Sequence, residues 1–210
     1  LGYDSLTTNT AGTCNTANGY RALVSNTTGG NNTATGTAAL YSNTTGIQNT
    51  ATGVRSLESN TTGNYNTATG FQALYANTTG TSNTATGLEA LTSNTTGQQN
   101  TATGYFALRF NTTGIRNTAI GLSAGSSITT GSNNTFLGYD AQPSSATVSN
   151  EITLGDTDVT TLRVPGLGFY GVRTNTTVAT TSITTIDSIV VATYRSARIQ
   201  IQITQGSNYQ

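Results

Sequence analysis

A period of 17 residues governs positions 1–141. The phrase Asn-Thr-Ala-Thr-Gly starts at Asn32, Asn49, Asn66, Asn83 and Asn100, with variants at Asn15, Asn117 and Asn134. Between these phrases, Asn-Thr-Thr-Gly starts at Asn26, Asn43, Asn60, Asn77, Asn94 and Asn111. Leucines keep the same register at Leu6, Leu23, Leu40, Leu57, Leu74, Leu91 and Leu108. Three independent columns in one register are the mark of a repeat architecture. A 17-residue unit is too short for two helices and their turns, but it suits one coil of a β-solenoid. β-Branched Thr favours extended backbone, and Gly and Asn tolerate the left-handed conformations that corners demand.

Stacking coils places identical residues about 4.8 Å apart. Asn15, Asn32, Asn49, Asn66, Asn83, Asn100, Asn117 and Asn134 would then form an amide ladder along the axis. The leucine column is the candidate for a continuous buried seam, either inside each coil or between chains. The expected fold is all-β, with a β-solenoid of about eight 17-residue coils over residues 1–141. A loop and connector follow over 142–168, and a β-rich C-terminal domain starts at 169.

The later coils change character. Ala119-Ile120 and Phe136-Leu137 replace the smaller Ala-Thr pair, and Gly125 stands where a Leu is due. We read this as a cap or a handover to another packing mode. After Tyr139 the repeat phrases stop, and Gln142-Pro143-Ser144-Ser145 reads as a loop. Ile152, Leu154, Val159, Leu162 and Val164 suggest short strands. The alternation Ile199-Gln200-Ile201-Gln202-Ile203, with the apolar run 189–192, suggests strands with one wet face. Gly2-Tyr3-Asp4-Ser5-Leu6 aligns with Gly19-Tyr20-Arg21-Ala22-Leu23. The expectation is therefore a segment that begins inside a repeat and ends within a larger β-domain.

Composition narrows function mainly by exclusion. Net charge is zero and only 8% of residues are charged, so an electrostatic footprint for nucleic acid or an anionic membrane is missing. No apolar run approaches the ~20 residues of a membrane helix. The chain has no His and a single Cys, which removes the usual zinc sets and Ser-His or Cys-His catalysis. Glu58 and Glu89 occupy different slots of their coils and do not form a carboxylate pair. Asp156-Thr157-Asp158 lacks the other ligands of a calcium loop. Cys14 reads as an incidental free thiol, and the Asn-Thr-Thr sequons as by-products of the repeat. No enzymatic activity and no cofactor are expected.

Binding residues should sit where the coils differ. Those slots hold Arg21, Arg55, Phe106, Arg109, Arg116 and four aromatics taken as candidate receptor contacts: Tyr41, Tyr65, Tyr75 and Phe110. The paired threonines, such as Thr33/Thr35 and Thr50/Thr52, would form a flat double file of the kind found in ice-binding proteins. Their replacement by Ile120 and Leu137 suggests instead that the second column points towards packing.

The units "NTATGFQALYANTTG" and "NTAIGLSAG" resemble repeats of tailed-phage fibre proteins and of large bacterial surface proteins. The segment 152–166 looks like the one that commonly follows such repeats. The stretch 193–210 is similar to C-terminal modules in structural proteins of marine phages. The resemblance implies a parallel homotrimer displayed on the virion surface, joined to other tail or baseplate proteins and engaging a host-surface glycan or protein. From charge and hydropathy, no nucleic-acid partner and no membrane insertion are expected. Trimeric autotransporter heads share the style, but their repeats are shorter and richer in Ser, Val and Ile. A bacterial trimeric adhesin on the cell surface is the alternative. Ice binding and a polysaccharide-cleaving tailspike are further ones.

Overall fold

A computed structural model of the chain describes residues 2–164 and 168–171, which belong to one compact unit spanning Leu1–Gly171. The described part is all-β. Each coil contributes one three-residue strand: β1 (Thr16–Asn18), β2 (Thr33–Thr35), β3 (Thr50–Thr52), β4 (Thr67–Thr69), β5 (Thr84–Thr86), β6 (Thr101–Thr103), β7 (Thr118–Ile120), β8 (Thr135–Leu137) and β9 (Ile152–Leu154). All nine form a single parallel sheet in sequence order. Each residue pairs with its equivalent 17 positions on, as Ala34 does with Ala51 and Thr35 with Thr52. Nine strands at about 4.8 Å give a sheet about 40 Å long along the axis.

In β2 to β6 the central Ala turns inward and the two flanking Thr turn outward. Ala34, Ala51, Ala68, Ala85 and Ala102 are fully buried. The interior is completed by a second small residue, such as Ala39 or Ala73, and by the leucine that follows it. Leu23, Leu40, Leu57, Leu74, Leu91 and Leu108 are fully buried inside their own chain, and Leu6 packs part-buried against the same core. A single coil is thin, but stacking makes its interior continuous.

Backbone pairing extends beyond the strands. At the corners Leu40 N–H donates to Ser56 O at 3.0 Å, and Thr44 N–H donates to Thr61 O at 3.0 Å. The Thr44 hydroxyl reaches the same carbonyl at 3.1 Å. Most coil-to-coil backbone groups are satisfied in this way, as buried peptide groups require.

The two glycines of a coil serve different ends. Gly36 has φ 132°, a region that side-chain-bearing residues rarely adopt. Gly46 is needed for space, because a Cβ there would lie 2.4 Å from Asn43 Oδ1 and 2.5 Å from Gly63 O.

The sequence expectation holds at the strand glycines, which have positive φ from Gly19 to Gly138, but the other left-handed corners fall mostly on residues that carry side chains and not on the motif asparagines. In the coil that starts at Asn49 they fall on Arg55, Leu57 and Tyr65, at φ 59°, 50° and 60°. The same three slots are left-handed along the solenoid, including the leucine column from Leu6 to Leu108. Left-handed backbone costs such residues about 1–2 kcal/mol each. Burying a leucine side chain recovers about 1.5–3 kcal/mol, so the inward leucine sustains its own strained turn.

The solenoid also continues past residue 141, where the sequence expectation ended it. β9 pairs with β8 in the same register, Leu137 against Leu154. Glu151 takes the slot of the motif asparagine and Gly155 that of the strand glycine. A separate antiparallel pair joins β10 (Thr161–Val164) to β11 (Gly168–Gly171). The strands expected at 189–192 and 199–203 lie outside the described residues.

Candidate functional site

Two buried amide ladders run along the rod. In the first, Asn49 N–H donates to Asn32 Oδ1 at 2.9 Å, and Asn49 Nδ2 donates to Gly63 O at 2.8 Å. The relation repeats from Asn15 to Asn134, and the Glu151 N–H ends it by donating to Asn134 Oδ1 at 2.9 Å. The second ladder belongs to the Asn-Thr-Thr-Gly phrase. Asn60 Nδ2 donates both to Asn43 Oδ1 at 2.8 Å and to Gly63 O at 3.0 Å. The carbonyl of Gly63 therefore accepts from both ladders, and a Cβ on Gly63 would collide with Asn60 Oδ1 and with the Gly80 carbonyl of the next coil. The second ladder stops at the fully buried Ile128, which takes its slot one coil beyond Asn111.

The candidate contact aromatics do not form one cluster. Tyr41 and Tyr75 occupy the same slot two coils apart, about 10 Å along the axis. Phe110 stands one slot over and two coils further, while Tyr65 lies at a different corner. Tyr65 and Phe110 are exposed; Tyr41 and Tyr75 are half-buried. Arginines cover the latter pair. The Arg21 guanidinium sits 4.7 Å from the Tyr41 ring centre and that of Arg55 4.8 Å from Tyr75.

Arg55 is also clamped by Glu58 and donates from Nη2 to Tyr75 Oη at 2.9 Å. The Glu58 hydrogen bond, then its charge, push the Arg55 pKa above its ordinary value. Arg109 pairs with Glu89 at 2.8 Å and lies 4.0 Å from the Phe106 ring centre. Glu58 and Glu89 thus serve two separate ion pairs. This edge of the rod is a strip of cation–π contacts and ion pairs.

A second surface was not singled out from sequence. The residue after each strand glycine is large and apolar in nearly every coil: Tyr3, Tyr20, Val54, Phe71, Leu88, Tyr105, Leu122 and Tyr139, all 37–81% exposed. The Tyr3 and Tyr20 rings stack with centres 5.9 Å apart and planes 7° off parallel. Two residues before each of these lies the outward column Thr35, Thr52, Thr69, Thr86 and Thr103, which becomes Ile120, Leu137 and Leu154. Ile120 and Leu137 are 47% and 37% exposed, so this column faces away from its own core and the packing expected of it from sequence is not against this chain's interior. Up to Leu154, every charged side chain (Asp4, Arg21, Arg55, Glu58, Glu89, Arg109, Arg116, Asp140 and Glu151) lies in some other slot.

At the C-terminal end of the solenoid a cleft is lined by Asp140, Gln142, Thr153, Leu154, Gly155, Asp156 and Thr157. Glu151 beside it is tied down by the Ser144 hydroxyl and N–H and by the Thr153 hydroxyl. The Ser144 hydroxyl is the main cause of its lowered pKa. Cys14 is exposed and free. Among the described residues no three His, Cys, Asp or Glu side chains come together as a metal site. Comparison of the chain with protein-family models, with curated proteins and with solved structures found no match.

Proposed function

We propose that this chain is a structural fibre segment of a phage virion appendage, a tail fibre that contributes to host-surface attachment as a parallel homotrimer. The observation that carries this reading is the pair of buried amide ladders that run beside one parallel sheet. Every coil is locked to the next by backbone and side-chain hydrogen bonds in a fixed register. Such a rod resists bending and local opening, as a spacer that carries a receptor-binding surface away from a particle must. Variable outward slots on equivalent coils present side chains such as Tyr65 and Phe110 at fixed axial intervals. Many weak contacts to a glycan or protein on a cell surface would then act together. The partners in this reading are further copies of the chain, other tail or baseplate proteins and the host surface. Its location is the virion surface.

The test is immunogold electron microscopy with antiserum raised against residues 1–171. Gold on the appendages of tailed particles is the expected result. Gold on bacterial cell surfaces, with bare particles, would replace this reading with the bacterial adhesin.

A second reading, ice binding, draws support from one observation: the paired threonines of β2 to β6 face outward on a regular parallel sheet. The exposed Ile120, Leu137 and Leu154 interrupt that file. A thermal-hysteresis assay separates the two readings, and the fibre reading expects none.

A further inference from the structure

We infer that the apolar column beside the sheet, together with the sheet's outward face, is a parallel, in-register interface between copies of this chain. The inference rests on the fibre reading and supplies the surface by which the copies meet.

The column is out of character with the rest of the molecule. Phe71, Leu88, Tyr105 and Leu122 stand exposed on consecutive coils of a chain that is only 34% hydrophobic. A continuous apolar strip of this kind marks an interaction surface. Its repeat identifies the partner. The side chains recur once per coil, so a partner that matches them all must carry the same axial repeat, and another copy of this chain does.

Charge points the same way. With no charged residue in these slots up to Leu154, like faces meet without repulsion. On the neighbouring edge Arg21, Arg55 and Arg109 are paired within their own chain with Asp4, Glu58 and Glu89. The size is also adequate. A face about 40 Å long and about five extended residues, or about 15 Å, across offers about 600 Å² per chain. Two such faces give about 1,200 Å² in total, at the lower end of specific interfaces.

The direction follows from the asymmetry of the outward sheet column. It is polar at Asn18 and Thr35 but apolar at Ile120, Leu137 and Leu154. Parallel chains bring the apolar rungs together, whereas antiparallel chains would set Leu137 against Asn18 or its neighbours.

The experiment compares the full chain with two paired variants. Phe71→Lys with Leu88→Lys charges the column, and Thr62→Lys with Thr79→Lys charges an exposed slot elsewhere on the rod. The expected result is a multimer for the unmodified chain and for the Thr62/Thr79 control, with a threefold lower mass for the column variant and an unchanged β circular-dichroism signal. Should the lysines unfold the chain, Phe71→Thr with Leu88→Thr takes their place, since Thr37 already occupies this slot. Direction is read in a Cys14→Ser background with a short bismaleimide. Tyr20→Cys should crosslink to itself. Crosslinking only in a mixture with Tyr139→Cys would show antiparallel chains and overturn the inference. So would a monomeric unmodified chain, or a multimer indifferent to both column variants. Self-association without gold on virion appendages would leave the interface standing and remove only the fibre reading.

Discussion

The ring of Phe136 occupies the space that a side chain at Gly125 would need: a Cβ there would lie 2.4 Å from Phe136 Cδ2. The two substitutions are one event. Gly125 stands in the leucine slot and Phe136 in the alanine slot of the next coil. The large residue has moved from one wall of the core to the other.

That exchange predicts strong coupling. Phe136→Ala alone should empty the site and cost about 3–5 kcal/mol, and Gly125→Leu alone should clash with the ring. The backbone at Gly125, φ 60°, is the one that Leu108 and its equivalents adopt with a side chain attached. The double variant should therefore recover most of the loss. Denaturant titration of the four proteins checks it, and additive losses would contradict it.

A rung removed from mid-ladder should be costly. Asn66 accepts from the Asn83 N–H at 3.0 Å and donates to Gly80 O at 2.8 Å, all of it buried. Asn66→Ala leaves the buried Asn83 N–H without a partner and Gly80 O with only its Asn77 donor, and should cost about 1–3 kcal/mol. Thr62→Ala, at an exposed position, should fall within about 0.5 kcal/mol. The shift in urea midpoint measures both.

The left-handed corners offer a gain. Ser82 is exposed with φ 58°. Ser82→Gly should relieve that strain and raise stability by up to about 1 kcal/mol. Ser93→Gly, at a position without positive φ, should lower it. Melting temperatures of the two variants should move in opposite directions.

Glu151 should make the end of the solenoid sensitive to acid. Its folded pKa lies below the ordinary 4.5, so its carboxylate contributes stability that is complete above that value. The contribution is lost as pH falls through the lower, folded pKa. Melting temperature followed from pH 6 downward should therefore drop less steeply in Glu151→Gln than in the unmodified chain. Parallel curves would count against the Ser144 contacts.

Much of this architecture was legible in the letters because identical residues recur where identical environments recur. The period gave the coil, and the buried leucines and laddered asparagines are the residues that repeat most strictly. Other features were hidden for physical reasons. A three-residue strand centred on Ala is too short for its inward and outward faces to be read from alternation, so the sequence did not say which surface the second Thr column faces. The left-handed turn at Leu57 was hidden because leucine is a poor candidate for that backbone, and only burial sustains it. The ninth coil kept the spacing from Asn134 to Glu151 but exchanged the motif amide for a carboxylate. The apolar column escaped notice because its identity changes among Tyr, Val, Phe and Leu. Reading the residue after each strand glycine as a vertical set would have found it. Tyr41 and Tyr75 looked like free contact residues, but Arg21 and Arg55 already cover them.

The central claim is that this chain is a rod built to stand beside its own copies. Light scattering on a size-exclusion column tests it most directly. The account predicts a mass of three times 21.6 kDa for the purified chain. A well-folded species at 21.6 kDa would contradict it.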